Sequence, residues 1–483
     1  MAEIRQRRPV APPEQSPEAF PLAVEEEEEE EEDETFLGKD FKWSSWQTWP
    51  MWLRFAPAWI TLLIIGAITY WDYHVTEYGL DMRTYESCVA TFNYTYRINA
   101  ARHQAEHHAV HSWEYGTTTE AVLELVNPER AVFADNPFPN DGVEMQGWKL
   151  DQALIWVYQN IATYNETLFP SDDFSATDPA SLGIAAVMVG RRWDVYIEAA
   201  ERQKEYLLQS APRYINSAIS HRRHATELWS DAISMFPPFL AYYGVHKKDF
   251  ALLKESVRQI QLYRDVLSIS KGATKGLWKH VVGPAGEKSM ADEGPWATGN
   301  GWAAHGMARV RATLSQWRPS NQTMRAQIGQ LDRWIGEILD AAIATDDGGD
   351  GSGLLRNYLG QGSWFGETSG TALLTATAYR MAVLNPSVFA QPKYLDWAHA
   401  KRAAIAARVD DDGFAPPAVN PLKHSSREPV TESPEGAAFL LMMGAAWRDC
   451  VCKGICDPAD QGQVDFARLE VRESGGRGVR EGL

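Results

Sequence analysis

The residues most able to do chemistry start with Asp231, in "WSDAISMFPPFLAYYG" (229–244). A single carboxyl stands beside Trp229 at the head of a run that is otherwise almost wholly apolar. Burial against Trp229, Met235 and Phe236 would raise its pKa and suit it to proton donation. Read locally, the same residue is a helix N-cap. Pro237 would clash with the carbonyl of Ile233 in a continuous helix, so the segment must bend or start late. Glu367, in "WFGETSG", is the second conspicuous carboxylate; it either shares a cavity with Asp231 or caps the next helix. Tryptophan is abundant, 19 in 483 residues. Its flat apolar face and single N–H donor suit both large cores and sugar stacking.

Other patterns lead nowhere. His103, His107 and His111 fall at i, i+4 and i+8, but only neighbouring pairs could share an ion and no third ligand is placed nearby. "DDGGDGSGLLRN" fails the calcium-loop pattern at Gly348 and Asn357. Phosphate-binding, dinucleotide and serine-elbow motifs do not occur. No metal and no cofactor is expected.

Side chains like these need a frame. Apolar residues recur at helical spacing in 147–165, 191–209, 253–267, 324–343, 369–384 and 394–409. Gly- and Pro-rich loops separate these segments, and short joins alternate with long ones. The pattern predicts an all-α domain over 80–460, about six helical hairpins in a closed barrel or a solenoid. The long loops would gather on one face and shape a pocket there.

The chain before this domain reads differently. Residues 1–48 hold 14 acids and five bases, half of the net charge of −18. Eight consecutive glutamates (25–32) predict a disordered acidic tail. Residues Phe55 to Trp71 carry no charge and have aromatics at both ends. Seventeen residues would span roughly 26 Å as a helix, which predicts a transmembrane anchor over 49–73. Lys39, Lys42 and Arg54 precede it and put the N-terminus in the cytosol. The expectation is a single-pass type II membrane protein of the secretory pathway or plasma membrane. Sequons at Asn93, Asn165 and Asn321 all follow the span, as do Cys88, Cys450, Cys452 and Cys456. In an oxidising lumen four cysteines make two disulfides, with three pairings open. Residues 461–483 read as a flexible tail. The acidic balance excludes nucleic acid as a partner.

Taken in order, "SHRRHATELWSDAISMFPPFLAYYG", "GLWKHVVG", "WATGNGWAAHGMARV", "GSWFGETSGTALLTATAYRMA" and "TESPEGAAFLLMMGAAWRD" resemble glycoside hydrolase family 105. These are the unsaturated rhamnogalacturonyl hydrolases of the six-hairpin glycosidase superfamily. The resemblance covers roughly 140–449 and implies an (α/α)6 barrel and a carbohydrate substrate. It implies that Asp231 protonates a C4=C5 double bond left by a lyase and that water then adds next to it. The resulting hemiketal opens and expels the aglycone. His280 would position water or the leaving oxygen. Trp229, Trp296 and Trp302 would stack on the sugar, Asn300 would contact hydroxyls, and Glu367 would complete a carboxylate pair. One position departs. The resemblance implies an arginine that holds a uronate carboxylate where this chain has Thr298. His305 or Arg309 would have to compensate, or the sugar is neutral. The alternative is a catalytically silent glycan-binding or wall-assembly factor on the same barrel.

Overall fold

The computed structural model describes residues 63, 85–143, 151–169, 174–284, 290–348 and 350–457. The expected acidic tail, the C-terminal tail from 461, and the expected anchor (apart from Leu63) lie outside them. Among the described residues no helix is long and apolar enough to cross a membrane. Residues Gly79–Leu483 form one unit.

Within it, two kinds of helix follow from two kinds of sequence. In α8 (Ala297–Gln316), α10 (Thr368–Leu384) and α12 (Pro434–Cys452) nearly every position is small or apolar, and nearly every residue is buried. A helix that is apolar all round must sit inside. In α7 (Phe250–Leu267) and α9 (Arg325–Thr345) the buried residues form one stripe, Leu253, Val257 and Ile260 in the first and Leu331, Ile335 and Ile338 in the second. Such a helix covers a core with one face and meets water with the other.

Seven further helices complete two rings. They are α1 (Ile98–His108), α2 (Ser112–Val126), α3 (Gln152–Val157), α4 (Gly183–Gly190), α5 (Asp194–Glu205), α6 (Pro237–Lys247) and α11 (Pro392–Ala406). The inner helices α2, α4, α6, α8, α10 and α12 pack each on the next, and α12 returns to α2. Helices α3, α5, α7, α9 and α11 each back the inner helix before them, and α1 backs α12. This is a closed (α/α)6 barrel, as the hairpin count predicted, and a solenoid is excluded. Glycine permits the tight inner packing: a Cβ at Gly306 of α8 would lie 2.3 Å from the carbonyl oxygen of Ile233.

Two sequence expectations need correction. The helix expected over 147–165 is only α3 and a 3-10 turn through Asn160 within the described residues. Strands were not expected, yet Leu228–Trp229 pairs antiparallel with Val281–Val282, and Leu355–Arg356 with Gly366–Glu367.

The loops entering α4, α6, α8, α10 and α12 are long, and they collect at the N-terminal ends of the inner helices. The opposite end is floored by buried charge. Arg380 of α10 lies between Glu124 of α2, 2.7 Å away, and Asp449 of α12. Arg309 meets Glu120 at 2.6 Å. Near this floor the cysteines pair as Cys88–Cys452 and Cys450–Cys456. The sequons Asn93, Asn165 and Asn321 are all exposed.

Candidate active site

A cavity of about 610 Å³ opens among the long loops. Trp113, Phe174, Trp229, Met235, Met290 and Trp302 supply its apolar wall, and Asp178, His221, Arg222, Asp231, His424 and Glu435 its polar groups. That volume suits a sugar-sized ligand.

Asp231 stands where the ribbon of residues 228–229 meets the inner ring. A short helix, Ala232–Met235, follows it, and α6 starts afresh at Pro237 after a break at Phe236. The proline thus sits in a first turn, where its missing N–H costs nothing. Asp231 has helical backbone angles, and its carboxylate makes no capping hydrogen bond. Capping therefore does not explain it. Its partner comes from the paired strand: the register Trp229↔Val281 sets Ser230 beside His280, and the Ser230 N–H donates to the His280 carbonyl at 2.9 Å. His280 Nε2 consequently lies 3.4 Å from Asp231 Oδ2, a charge contact without a closed hydrogen bond. Ser230 Oγ also donates to Asp231, at 3.1 Å.

His280 is gripped from behind. Its Nδ1 lies 3.1 Å from Asp292 Oδ2, and Asp292 also accepts from the Tyr358 hydroxyl and, at 3.0 Å, from the Gly294 N–H. His424 Nε2 is 3.5 Å from the same carboxylate oxygen. Donor atoms of His280, Asp292 and His424 all fall within 4.8 Å of one another, close enough to share an ion. Of the three, His280 and Asp292 are already hydrogen-bonded to each other.

These contacts set the charges. Burial alone would depress His280, but Asp231 and Asp292 outweigh it and raise its pKa to about 9. Burial alone would raise Asp231, as the sequence led one to expect; His280, then His221, reverse the direction and lower it. Asp231 therefore rests as an anion beside an imidazolium. Burial and the His280 charge hold His424 neutral, with its pKa lowered to about 4. His221, stacked on Trp229 at 4.8 Å, is lowered to about 4 by burial despite the nearby Asp231.

The expected site residues divide into two groups. Asp231, Trp229 and Trp302 line the cavity, and His280 lies directly behind Asp231. Trp296 packs on His280 with ring centroids 4.5 Å apart and donates its Nε1–H to Asn357. Asn300 is fully buried; its amide accepts from Trp278 N–H and donates to the carbonyls of Trp278 and Trp296. It ties the strand leading to His280 onto α8 and does not line the cavity. Glu367 is likewise buried outside the cavity and caps α10, accepting from the Ser369 and Gly370 N–H groups at 2.7 Å each. Thr298 is fully buried, and Arg309 and His305 face Glu120 and Glu124 at the barrel floor. Neither of the two compensates for a missing arginine in the cavity.

A family model described as Glycosyl Hydrolase Family 88 matches residues 190–446, more than half of the chain. The chain belongs to glycosyl hydrolase family 88. The match takes in Asp231, His280, Asp292, His424 and Glu435, whereas His111, Trp113 and Asp178 precede it. The unsaturated rhamnogalacturonyl hydrolase YesR of Bacillus subtilis is 25% identical over 228 residues, 46% of this chain and 59% of that protein. A crystal structure from Salmonella enterica, described as a possible member of glycoside hydrolase family 105, superposes with a TM-score of 0.55 at 16% identity. It covers 74% of this chain and 95% of its own. A family 105 hydrolase from C. acetobutylicum gives 0.53 at 14% identity, covering 69% and 93%. These structures carry the fold, and the resemblance to family 105 agrees with them. Outside the expected set, this family 88 cavity is lined by His111, Trp113, Asp178, His221, Arg222, His424 and Glu435. His221 and Glu435 sit inside quoted motifs ("SHRRHATELW", "TESPEGAAF"), which is the signal that pointed near them.

Proposed function

We propose that this family 88 member hydrolyses a glycan by adding water across the C4=C5 bond of an unsaturated terminal sugar. The observation that carries it is Asp231, 3.4 Å from His280 Nε2 and open to a tryptophan-walled cavity. Asp231 takes a proton from the water whose oxygen bonds to C5, a proton supplied by solvent adds to C4 where the π electrons form the new C–H bond, and the hemiketal opens and expels the aglycone. Proton donation was the part expected of Asp231. Its pairing with His280 favours the part of base, because a resting anion has no proton to give. The name of the Bacillus relative supports an unsaturated uronyl substrate. Arg222, which pairs with Glu227 at 3.5 Å and reaches the cavity, is the cation in the lining able to meet a uronate. The charge-free stretch 55–71 and the three exposed sequons support a domain held at a membrane and glycosylated on its far side.

The test is Asp231→Asn. Turnover of an unsaturated rhamnogalacturonyl disaccharide should fall by about 10²- to 10⁴-fold while the variant remains folded by circular dichroism. Full activity in that variant would sink the reading. A wild type that binds the disaccharide and releases nothing would favour the silent glycan-binding alternative.

A further inference from the structure

Asp292 belongs to none of the motifs quoted from the sequence, and the backbone brings it to His280. It bridges Val281 with N–H···O bonds of 2.8 and 3.0 Å, one in each direction, and the His280 N–H donates to the Gly294 carbonyl at 3.0 Å. The two carboxylate oxygens divide their work. Oδ1 accepts from the Gly294 N–H at 3.0 Å, a local turn that fixes the side chain. Oδ2 faces His280 Nδ1 at 3.1 Å and also accepts from the Tyr358 hydroxyl. The turn would stand on Oδ1 alone, so the bond to the ring calls for a separate explanation.

Packing leaves one thing about that ring undecided. His280 lies against Trp296, His424 and Trp229, with ring centroids 4.5, 4.4 and 5.4 Å away. These neighbours fix the plane of the imidazole. A half-turn about the Cβ–Cγ bond leaves its outline unchanged, yet puts Cε1 where Nε2 stood. A hydrogen bond at Nδ1 tells the two orientations apart. A carboxylate can only accept, so the nitrogen that faces it carries a proton.

We propose that Asp292 is a positioning residue for the reaction. It holds His280 by Nδ1, so that Nε2 and not a carbon stands 3.4 Å from the Asp231 carboxylate. The inference rests on the hydrolysis proposed above. Asp231 remains the carboxyl that meets the water. Asp292 does not line the cavity and acts on Asp231 through the ring. An aspartate behind a histidine fixes which nitrogen faces the reacting group, and that is worth as much to the rate as the histidine itself.

The experiment measures kcat and KM on an unsaturated rhamnogalacturonyl disaccharide for wild type, Asp292→Asn, Asp292→Ala, His280→Gln and the double variants that join them. In Asp292→Asn the amide oxygen keeps the Gly294 bond and the turn, which directs the NH2 group at Nδ1. A donor then meets a donor, and the ring loses its hold. kcat should fall by about 10²- to 10⁴-fold with KM little changed. Asp292→Asn with His280→Gln should be no slower than His280→Gln alone, because the ring is the route from Asp292 to Asp231. Formate should restore part of kcat in Asp292→Ala, since the side chain it replaces is 20% exposed, and should restore nothing once His280→Gln is added. Wild-type kcat in Asp292→Asn overturns the assignment while leaving the reaction intact. So does a change confined to KM, or losses that multiply in the double variant. Wild-type kcat should survive EDTA; a loss that zinc restores would make Asp292 an ion ligand and overturn its part as the holder of the ring. An inert wild type removes the reaction itself and the assignment with it. Circular dichroism of each variant separates a lost ring orientation from a lost fold.

Discussion

Charge at the site is decided residue by residue. His280 is the buried cation on which Asp231 and Asp292 both depend, and its raised pKa carries a sign. A base whose folded pKa lies above its unfolded value stabilises the protein fully below the unfolded value, near 6.5. That contribution is lost as pH rises through about 9. The melting temperature should therefore fall between pH 7 and 10, and His280→Gln should flatten that part of the profile. Asp231→Asn should move the midpoint downward, since it removes the largest favourable charge on the imidazolium. A wild-type profile flat over this range would contradict the ion pair. Asp231, Trp229 and His280 were legible in the sequence because each sits in a compact motif. Asp292 and His424 were not, because loops carry no period and their side chains meet only through the fold. Glu367 and Asn300 were conspicuous for a different reason: both are polar residues spent on holding backbone in place.

Elements place those side chains, and one of the smallest does most. The ribbon of 228–229 with 281–282 joins the segment before α6 to the segment before α8 and so sets Asp231 beside His280. Two-residue strands leave no alternation to read, since a strand pattern needs about four residues to emerge. The long helices were legible, with α7, α9, α10 and α11 starting and ending within a few residues of the expected bounds, because each keeps one face or all faces apolar over many turns. The close approach of α8 to Ile233 offers a test at this scale. Gly306→Ala would put a methyl 2.3 Å from the Ile233 carbonyl oxygen, two residues beyond Asp231. Overpacking of this kind costs about 1–3 kcal/mol. The urea midpoint should drop, and kcat should drop with it because the displaced segment carries the base. Unchanged kcat in a destabilised variant would show that Asp231 is held from the ribbon alone.

For the molecule as a whole, the barrel gathers its chemistry at one end and its cross-links near the other. The alternation of short and long joins made this arrangement legible. The buried charges of the floor were not legible, since Glu124, Arg380 and Asp449 come from three distant helices. The Cys88–Cys452 bridge closes 364 residues of sequence separation, and Cys452→Ser should cost about 2–5 kcal/mol in unfolding free energy, read by denaturant titration. The ring has a further consequence in time. Arg448 of α12 donates to the Leu125 carbonyl of α2 at 2.6 Å, 323 residues away in the chain. A ribosome adding about 5–20 residues per second needs on the order of 20–60 s between making the two. For that interval the first inner helix has no closing neighbour, and its apolar face must be sheltered by something other than the barrel. A nascent chain stalled before α12 should thus be an open arc that engages chaperones, and the nineteen residues of α12 convert it into a sealed ring.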